Sequence, residues 1–297
     1  MHSRSSSVRW GIPRFPPQFK PQFKPPATPQ ATLQVTPQAG PSRLSRVLLI
    51  GINYYNTPYQ LEGCINDVIT VQNILNRFFP TCKNITVIND NTAIKPTRSN
   101  ILTAINNLVK DLKPGENIYF HYSGHGGQIR DTNGDEVSGY DDCIYPYNNQ
   151  ELEIITDDEL RSLLAAKVPA GSKCFIVLDS CHSGTAVDLR YLWQPAGADR
   201  ITYAENTKYS KLPGTVFFLS GCSDQQTAED TADNTGRPCG ALTWALCETW
   251  KKYGAAIKIK HLLWDVRQFL LSRRYSQTPQ LSSGNYFDMN SVFNLSV

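Results

Sequence analysis

No stretch of the chain approaches the ~20 consecutive apolar residues that a membrane-spanning helix needs, so no span is expected. No apolar core follows the start of the chain, so a secretory signal is not indicated. None of the eight cysteines lies in a CxxC pair, which removes the closely spaced ligands of a structural zinc site. Eight cysteines over 297 residues are also too sparse for a disulfide framework. A reducing, cytoplasmic setting is therefore expected. A phosphate loop is missing as well: the sequence after the first expected strand runs GINYYNTPYQ, neither GxGxxG nor Walker. Strong charge bias is absent, and a net charge of +3 gives no argument for nucleic acid or a membrane as partner.

Acidic residues are absent from the first 46 positions, which hold seven of the 29 Lys and Arg and nine of the 19 Pro. This segment carries the tandem PQFK-PQFK from Pro17 to Lys24. It has too little apolar surface to offset its ordering entropy, so polyproline II and disorder are expected over residues 1–46. A flexible tail, a regulatory prodomain, a docking segment and a targeting peptide are its competing readings. The rest of the chain is mildly acidic, with 22 basic and 26 acidic residues.

From residue 47 the pattern changes. Short apolar runs at 47–52, 85–88, 118–122, 174–178 and 216–219 read as buried parallel strands. Apolar residues at helical spacing predict helices over 63–79, 97–112, 157–166, 240–252 and 259–272. A long acidic, Gly-rich loop is expected at 126–142, a polar connection at 185–213, and a last short strand near 285–293. Alternating strands and helices predict an α/β fold, a mostly parallel central sheet with helices on both faces.

Open parallel sheets collect functional groups beyond the carboxyl ends of their strands. One strand runs into Tyr122-Ser-Gly-His-Gly126, the other into Asp179-Ser-Cys-His-Ser-Gly184. If these strands are neighbours, His125 faces Cys181. A thiol becomes a good nucleophile once a base takes its proton, so Cys181 is the candidate nucleophile and His125 its base and acid. The amides of Gly126 and Cys181 are candidates for an oxyanion hole. His182 adjoins Cys181 but points to the opposite face in extended chain. His121 lies within its strand and is expected to be packed, and Cys174 and Cys247 are expected to be inert buried thiols.

The segments YSGHG, DSCHSG, GINYY, GCINDV and SGCSDQQTAED resemble those of type I metacaspases, a caspase-like cysteine peptidase family. The likeness covers residues 46–297 with the motifs in the same order, and the Pro-rich leader is similar to the family's prodomain. The resemblance implies a caspase-haemoglobinase fold: a disordered prodomain at 1–46, a larger subdomain at 47–190, a linker at 191–213 and a smaller subdomain at 214–297. It implies a monomer and cleavage of protein or peptide substrates after Arg or Lys. The residues offer a reason for that preference. Asp179 lies two positions before Cys181 on the same strand face, and Asp67 follows the first strand. Two carboxylates in one pocket attract a cation and repel an acid. By the resemblance, Cys64 and Ser123 line the same S1 pocket. Asp67 also has a competing role as a helix N-terminal charge.

The family resemblance further implies calcium dependence, with Asp141, Asp157, Asp158 and Asp188 at the matching positions. Hard carboxylate oxygens suit that ion, although solvated acids at a helix start are the competing reading. Asp131-Thr-Asn-Gly-Asp135 is similar to an EF-hand opening, but Glu136 stands where that loop needs Gly. Self-cleavage is expected in the polar connection at Arg190, Arg200, Lys208 or Lys211, or in the leader at Lys24, Arg43 or Arg46. A scaffold that binds partners or aggregated protein without catalysis is the rival reading.

Overall fold

The computed structural model describes residues 43–131, 139–147, 153–180, 187–221, 230–254 and 256–295. The leader up to residue 42, the EF-hand-like segment 132–138, and Cys181 with the loop around it lie outside these residues.

Strand β1 (Arg43–Gly51) is followed by helix α1 (Cys64–Phe78), β2 (Asn84–Asn89), α2 (Arg98–Val109) and β3 (Glu116–Ser123). The acidic loop expected at 126–142 instead contains strands. β4 (Gly126–Arg130), β5 (Tyr140–Ile144) and the two-residue β6 (Ile155–Thr156) form a small antiparallel sheet. Short α3 (Asp157–Leu163) starts with a capping box, in which Thr156 accepts from the amide of Glu159 and the Glu159 side chain accepts from the amide of Thr156. Then come β7 (Lys173–Asp179), β8 (Tyr191–Pro195), β9 (Ile201–Glu205), β10 (Thr215–Ser220) and the hairpin of β11 (Asp230–Ala232) and β12 (Pro238–Gly240). The chain continues through α4 (Ala241–Tyr253), β13 (Ile257–Lys258), α5 (Ile259–Ser272), β14 (Gln280–Ser283) and β15 (Val292–Phe293).

The main sheet has eight strands in the order β2-β1-β3-β7-β10-β14-β8-β9. The first five are mutually parallel and the last three pair antiparallel. Period-2 alternation sends Val47, Leu49, Tyr119, Phe175, Val177, Phe217 and Leu219 into one core with α1, α4 and α5. Their neighbours Leu48, Ile50, Phe120, Ile176, Leu178 and Phe218 enter the other core with α2 and α3. Helices therefore cover both faces, as expected. Among the described residues no helix is long and apolar enough to cross a membrane.

Two further expectations need correction. The stretch read as a linker at 191–213 holds β8 and β9, which extend the main sheet. Its polar composition hid a face carried by Tyr191, Trp193 and Tyr203, whose rings stand 5.2 to 6.1 Å apart. The last short strand expected near 285–293 forms as β15, and Gln280–Ser283 adds a strand to the main sheet that was not expected. Structured chain also begins earlier than expected: β1 starts at Arg43, inside the segment read as leader.

Candidate active site

The parallel register aligns the carboxyl ends of three strands, with Gly51 opposite Ser123 and Ser123 opposite Asp179. The condition set by the sequence, that the strand leading to His125 adjoins the strand leading toward Cys181, is met by β3 and β7. The last described residue on the second strand's path is Ser180, which is buried.

His125 is held on several sides. Its Nε2 lies 2.7 Å from the carbonyl oxygen of Tyr59. Its main-chain N–H donates to the Tyr54 hydroxyl at 2.9 Å, and its carbonyl accepts from the Tyr122 hydroxyl at 2.7 Å. Tyr54 donates in turn to the carbonyl of Tyr145 at 2.6 Å, and its ring lies 4.7 Å from the imidazole centroid. These phenols explain Gly124. A Cβ there would stand 2.6 Å from the Tyr122 oxygen and 2.9 Å from the Tyr54 oxygen. Burial raises the pKa of both tyrosines, so they stay neutral hydrogen-bonding groups. Sequence reasoning missed Tyr54 and the Tyr59 carbonyl. The GINYY motif marked the first, whereas a main-chain acceptor leaves no residue-type signal. Gly126, a candidate oxyanion donor, opens β4 opposite Ile144.

The four S1 candidates are all buried. Cys64 opens α1, and the close approach of β1 is possible because Gly51 has no side chain to meet the Cys64 carbonyl. Ser123 Oγ donates to Asp67 Oδ2 at 2.6 Å. The amide of Gly240 donates to both oxygens of Asp67, at 2.9 and 3.1 Å, and the amide of Thr243 donates to Asp179 Oδ2 at 2.8 Å. Asp67 and Asp179 are 1% and 5% exposed, deep enough for charge to act at reduced dielectric. Asp67 also stands in the first turn of α1, the place its competing role as a helix N-terminal charge expects. Gly240 and Thr243 were not anticipated, because amides of a helix start carry no side-chain signature.

Other expected assignments are settled by burial. His121 is packed, with Nδ1 3.1 Å from the Tyr119 hydroxyl and Nε2 3.2 Å from Thr243 Oγ1. Burial lowers its pKa to about 3. Cys174 and Cys247 are fully buried, which raises their thiol pKa values and leaves them inert.

The acids expected to hold calcium lie on β5, at the start of α3 and before β8. Asp141, Asp157 and Asp188 are buried and Asp158 is half-buried. Asp157 accepts from the amides of Asp142 at 2.7 Å and Asp158 at 2.8 Å. Arg161 of α3 donates to the Asp188 carbonyl. The donors suit calcium in kind, being hard carboxylate oxygens. Among the described residues no three acidic, His or Cys side chains form a ready metal-holding group. No chemical step is therefore assigned to an ion.

A family model described as metacaspase, peptidase C14 domain, matches residues 45–190. Metacaspase-1 of Schizosaccharomyces pombe is 36% identical, over 82% of this chain and 68% of its own. Metacaspase-1 of Mycosarcoma maydis is 36% identical over 84% and 72%, and Metacaspase-1B of Aspergillus fumigatus 33% over 98% and 82%. A solved protein of Geobacter sulfurreducens shares the fold, with a TM-score of 0.61 and 24% identity over 86% of this chain and 99% of that one. With the paired strand ends and the buried acids Asp67 and Asp179 beside them, these matches place the chain in the metacaspase family of caspase-like, cysteine-type peptidases.

Proposed function

We propose that this metacaspase cuts peptide bonds after Arg or Lys, with Cys181 as nucleophile and His125 as general base and acid. The observation that carries this reading is the buried carboxylate pair, Asp67 and Asp179, beside the strand ends leading to those two residues. Two anions in a poorly solvated pocket attract a guanidinium or ammonium and repel an acidic side chain.

His125 takes the thiol proton as sulfur adds to the scissile carbonyl carbon, and the amides of Gly126 and Cys181 receive the developing oxyanion. The imidazole passes its proton to the departing amine, leaving a thioester. Water then yields a proton to the imidazole while its oxygen adds to the acyl carbon. Sulfur leaves, and the new carboxyl terminus is released.

Calcium binding at Asp141, Asp157, Asp158 and Asp188 belongs to the same proposal, as an ordering event outside the bond-breaking steps. Its support is the donor chemistry alone. Cleavage of its own chain and action as a cytoplasmic monomer complete the proposal, and light scattering at the monomer mass of 33.3 kDa would support that state.

The deciding experiment offers fluorogenic peptides ending in Arg, Lys or Asp to the full chain and to Cys181→Ala. Turnover of the basic peptides, lost in the variant, is the expected result. Preference for Asp would sink the pocket reading. Failure of an Arg-based electrophile to label Cys181 would favour the non-catalytic scaffold.

A further inference from the structure

We infer that Gly240, with the first turn of α4, is a specificity-determining position of the acidic pocket and acts through the two carboxylates. This rests on the proposed Arg/Lys pocket.

Gly240 precedes α4 with φ −75° and ψ 139°, a conformation open to any residue. Its lack of a side chain therefore answers to space. A Cβ at this position would overlap the Asp179 carboxylate and stand 2.9 Å from Asp67 Oδ2. The two acids, one from α1 and one from β7, thus close around the Gly240 Cα, and any larger residue must displace both.

The same segment supplies the donors that keep them in place. The first amides of a helix have no partner within the helix and sit at the positive end of its dipole. Here Gly240 N–H serves Asp67 and Thr243 N–H serves Asp179. The helix start therefore holds both carboxylates in place through main-chain donors, before a substrate arrives.

This segment is fixed from behind. His121 of β3 meets the Thr243 hydroxyl, and Asn66 of α1 donates to the Pro238 carbonyl at 2.9 Å. At Gly63, just ahead of α1, a Cβ would stand 2.8 Å from the Cys239 Cα, so β12 lies hard against α1. The smaller, carboxyl-terminal part of the chain thereby sets the position of acids that belong to the larger part.

The test compares peptides ending in Arg with peptides ending in citrulline, which keeps the shape and removes the charge. Wild-type full chain, Gly240→Ala and Thr243→Pro are assayed. Proline at 243 removes the amide that serves Asp179, sets a ring carbon in place of its hydrogen, and falls in the first turn of the helix, where proline is tolerated. The expected result is a loss of about tenfold in the Arg over citrulline ratio, carried by KM, the scale of one charge-assisted contact. Alkylation of Cys181 by iodoacetamide, which needs no pocket, is expected to keep its wild-type rate in both variants. Either folded variant retaining the wild-type ratio overturns the inference. A wild-type enzyme that does not distinguish the two peptides overturns the pocket reading itself.

Discussion

The Nε2 atom of His125 lies 2.7 Å from the main-chain carbonyl oxygen of Tyr59. A carbonyl only accepts, so Nε2 carries the hydrogen and Nδ1 is the nitrogen left to exchange a proton with a thiol. The Tyr59 carbonyl is aimed by a tight local network in which Thr57 Oγ1 donates to Tyr54 O at 2.7 Å and accepts from Tyr59 N at 3.2 Å. Thr57→Ala loosens that loop without touching the imidazole. The expected outcome is a fall in kcat of about tenfold, near ~1.4 kcal/mol of orientation, with KM little changed. Steady-state kinetics on an Arg-terminated peptide checks it.

Tyr54→Phe removes the hydroxyl that accepts from the His125 amide and donates to the Tyr145 carbonyl, while keeping the ring beside the imidazole. The part-buried His125 amide then lacks that partner, while the Tyr145 carbonyl keeps the Tyr122 hydroxyl at 3.2 Å, so the cost is about 1 kcal/mol. Activity is expected to fall more than stability accounts for, because the lost contacts position His125, the proposed base. Urea denaturation and kcat measured on the same preparation separate the two effects.

Burial lowers the His121 pKa to about 3, against roughly 6.5 in the unfolded chain. Above the unfolded value both states are neutral and the full stability is present. As pH falls below about 6.5 the unfolded chain binds a proton that the folded chain refuses, and stability is lost progressively toward pH 3. His121→Gln keeps hydrogen-bonding capacity and does not titrate. Its stability is expected to depend less steeply on pH between those limits, by an amount on the order of a few kcal/mol. Parallel curves for wild type and variant would remove the assignment.

Calcium added to the apo protein is expected to raise the melting temperature by several degrees at a hundredfold excess over its Kd, since a ligand of the folded state alone adds about 2.7 kcal/mol. Asp157→Asn with Asp188→Asn is expected to abolish the shift. An unchanged melting curve for wild type would dismiss these acids as a calcium site.

Self-cleavage is expected at Lys208 or Lys211, which are exposed beyond β9, or at Arg200 in the β8–β9 turn. It is not expected at Arg46, where β1 pairs with Asn84 on one side and Ile118 on the other. Arg190 is held by Glu205 at 2.8 Å. Mass spectrometry of products formed by wild type, with Cys181→Ala as control, reads the sites directly.

Much of this architecture was legible because buried parallel strands announce themselves. Val47 to Ile52 and Cys174 to Leu178 are apolar on both faces, and α1 and α5 carry clear helical stripes. β4 and β5 were hidden inside an acidic loop because their pairing spends glycine, glutamine and aspartate, which carry little strand propensity. β8 and β9 were hidden for a related reason, since an edge hairpin needs only one apolar face. Of the proposed pocket, Asp67 and Asp179 were readable as side chains. Gly240 was not, because its contribution is an amide and an empty volume, and neither has a letter in the alphabet.

The sheet also interleaves the two halves of the chain. β14, near the carboxyl end, lies between β10 and β8, with β8 preceding the segment at 206–214 that carries the exposed Lys208 and Lys211, and β10 following it. A nick in that segment would leave its two fragments stitched together by backbone ladders and both cores. The cut molecule would migrate as one particle in gel filtration and separate only in denaturant, so its severed ends would gain freedom while the architecture around them stayed whole.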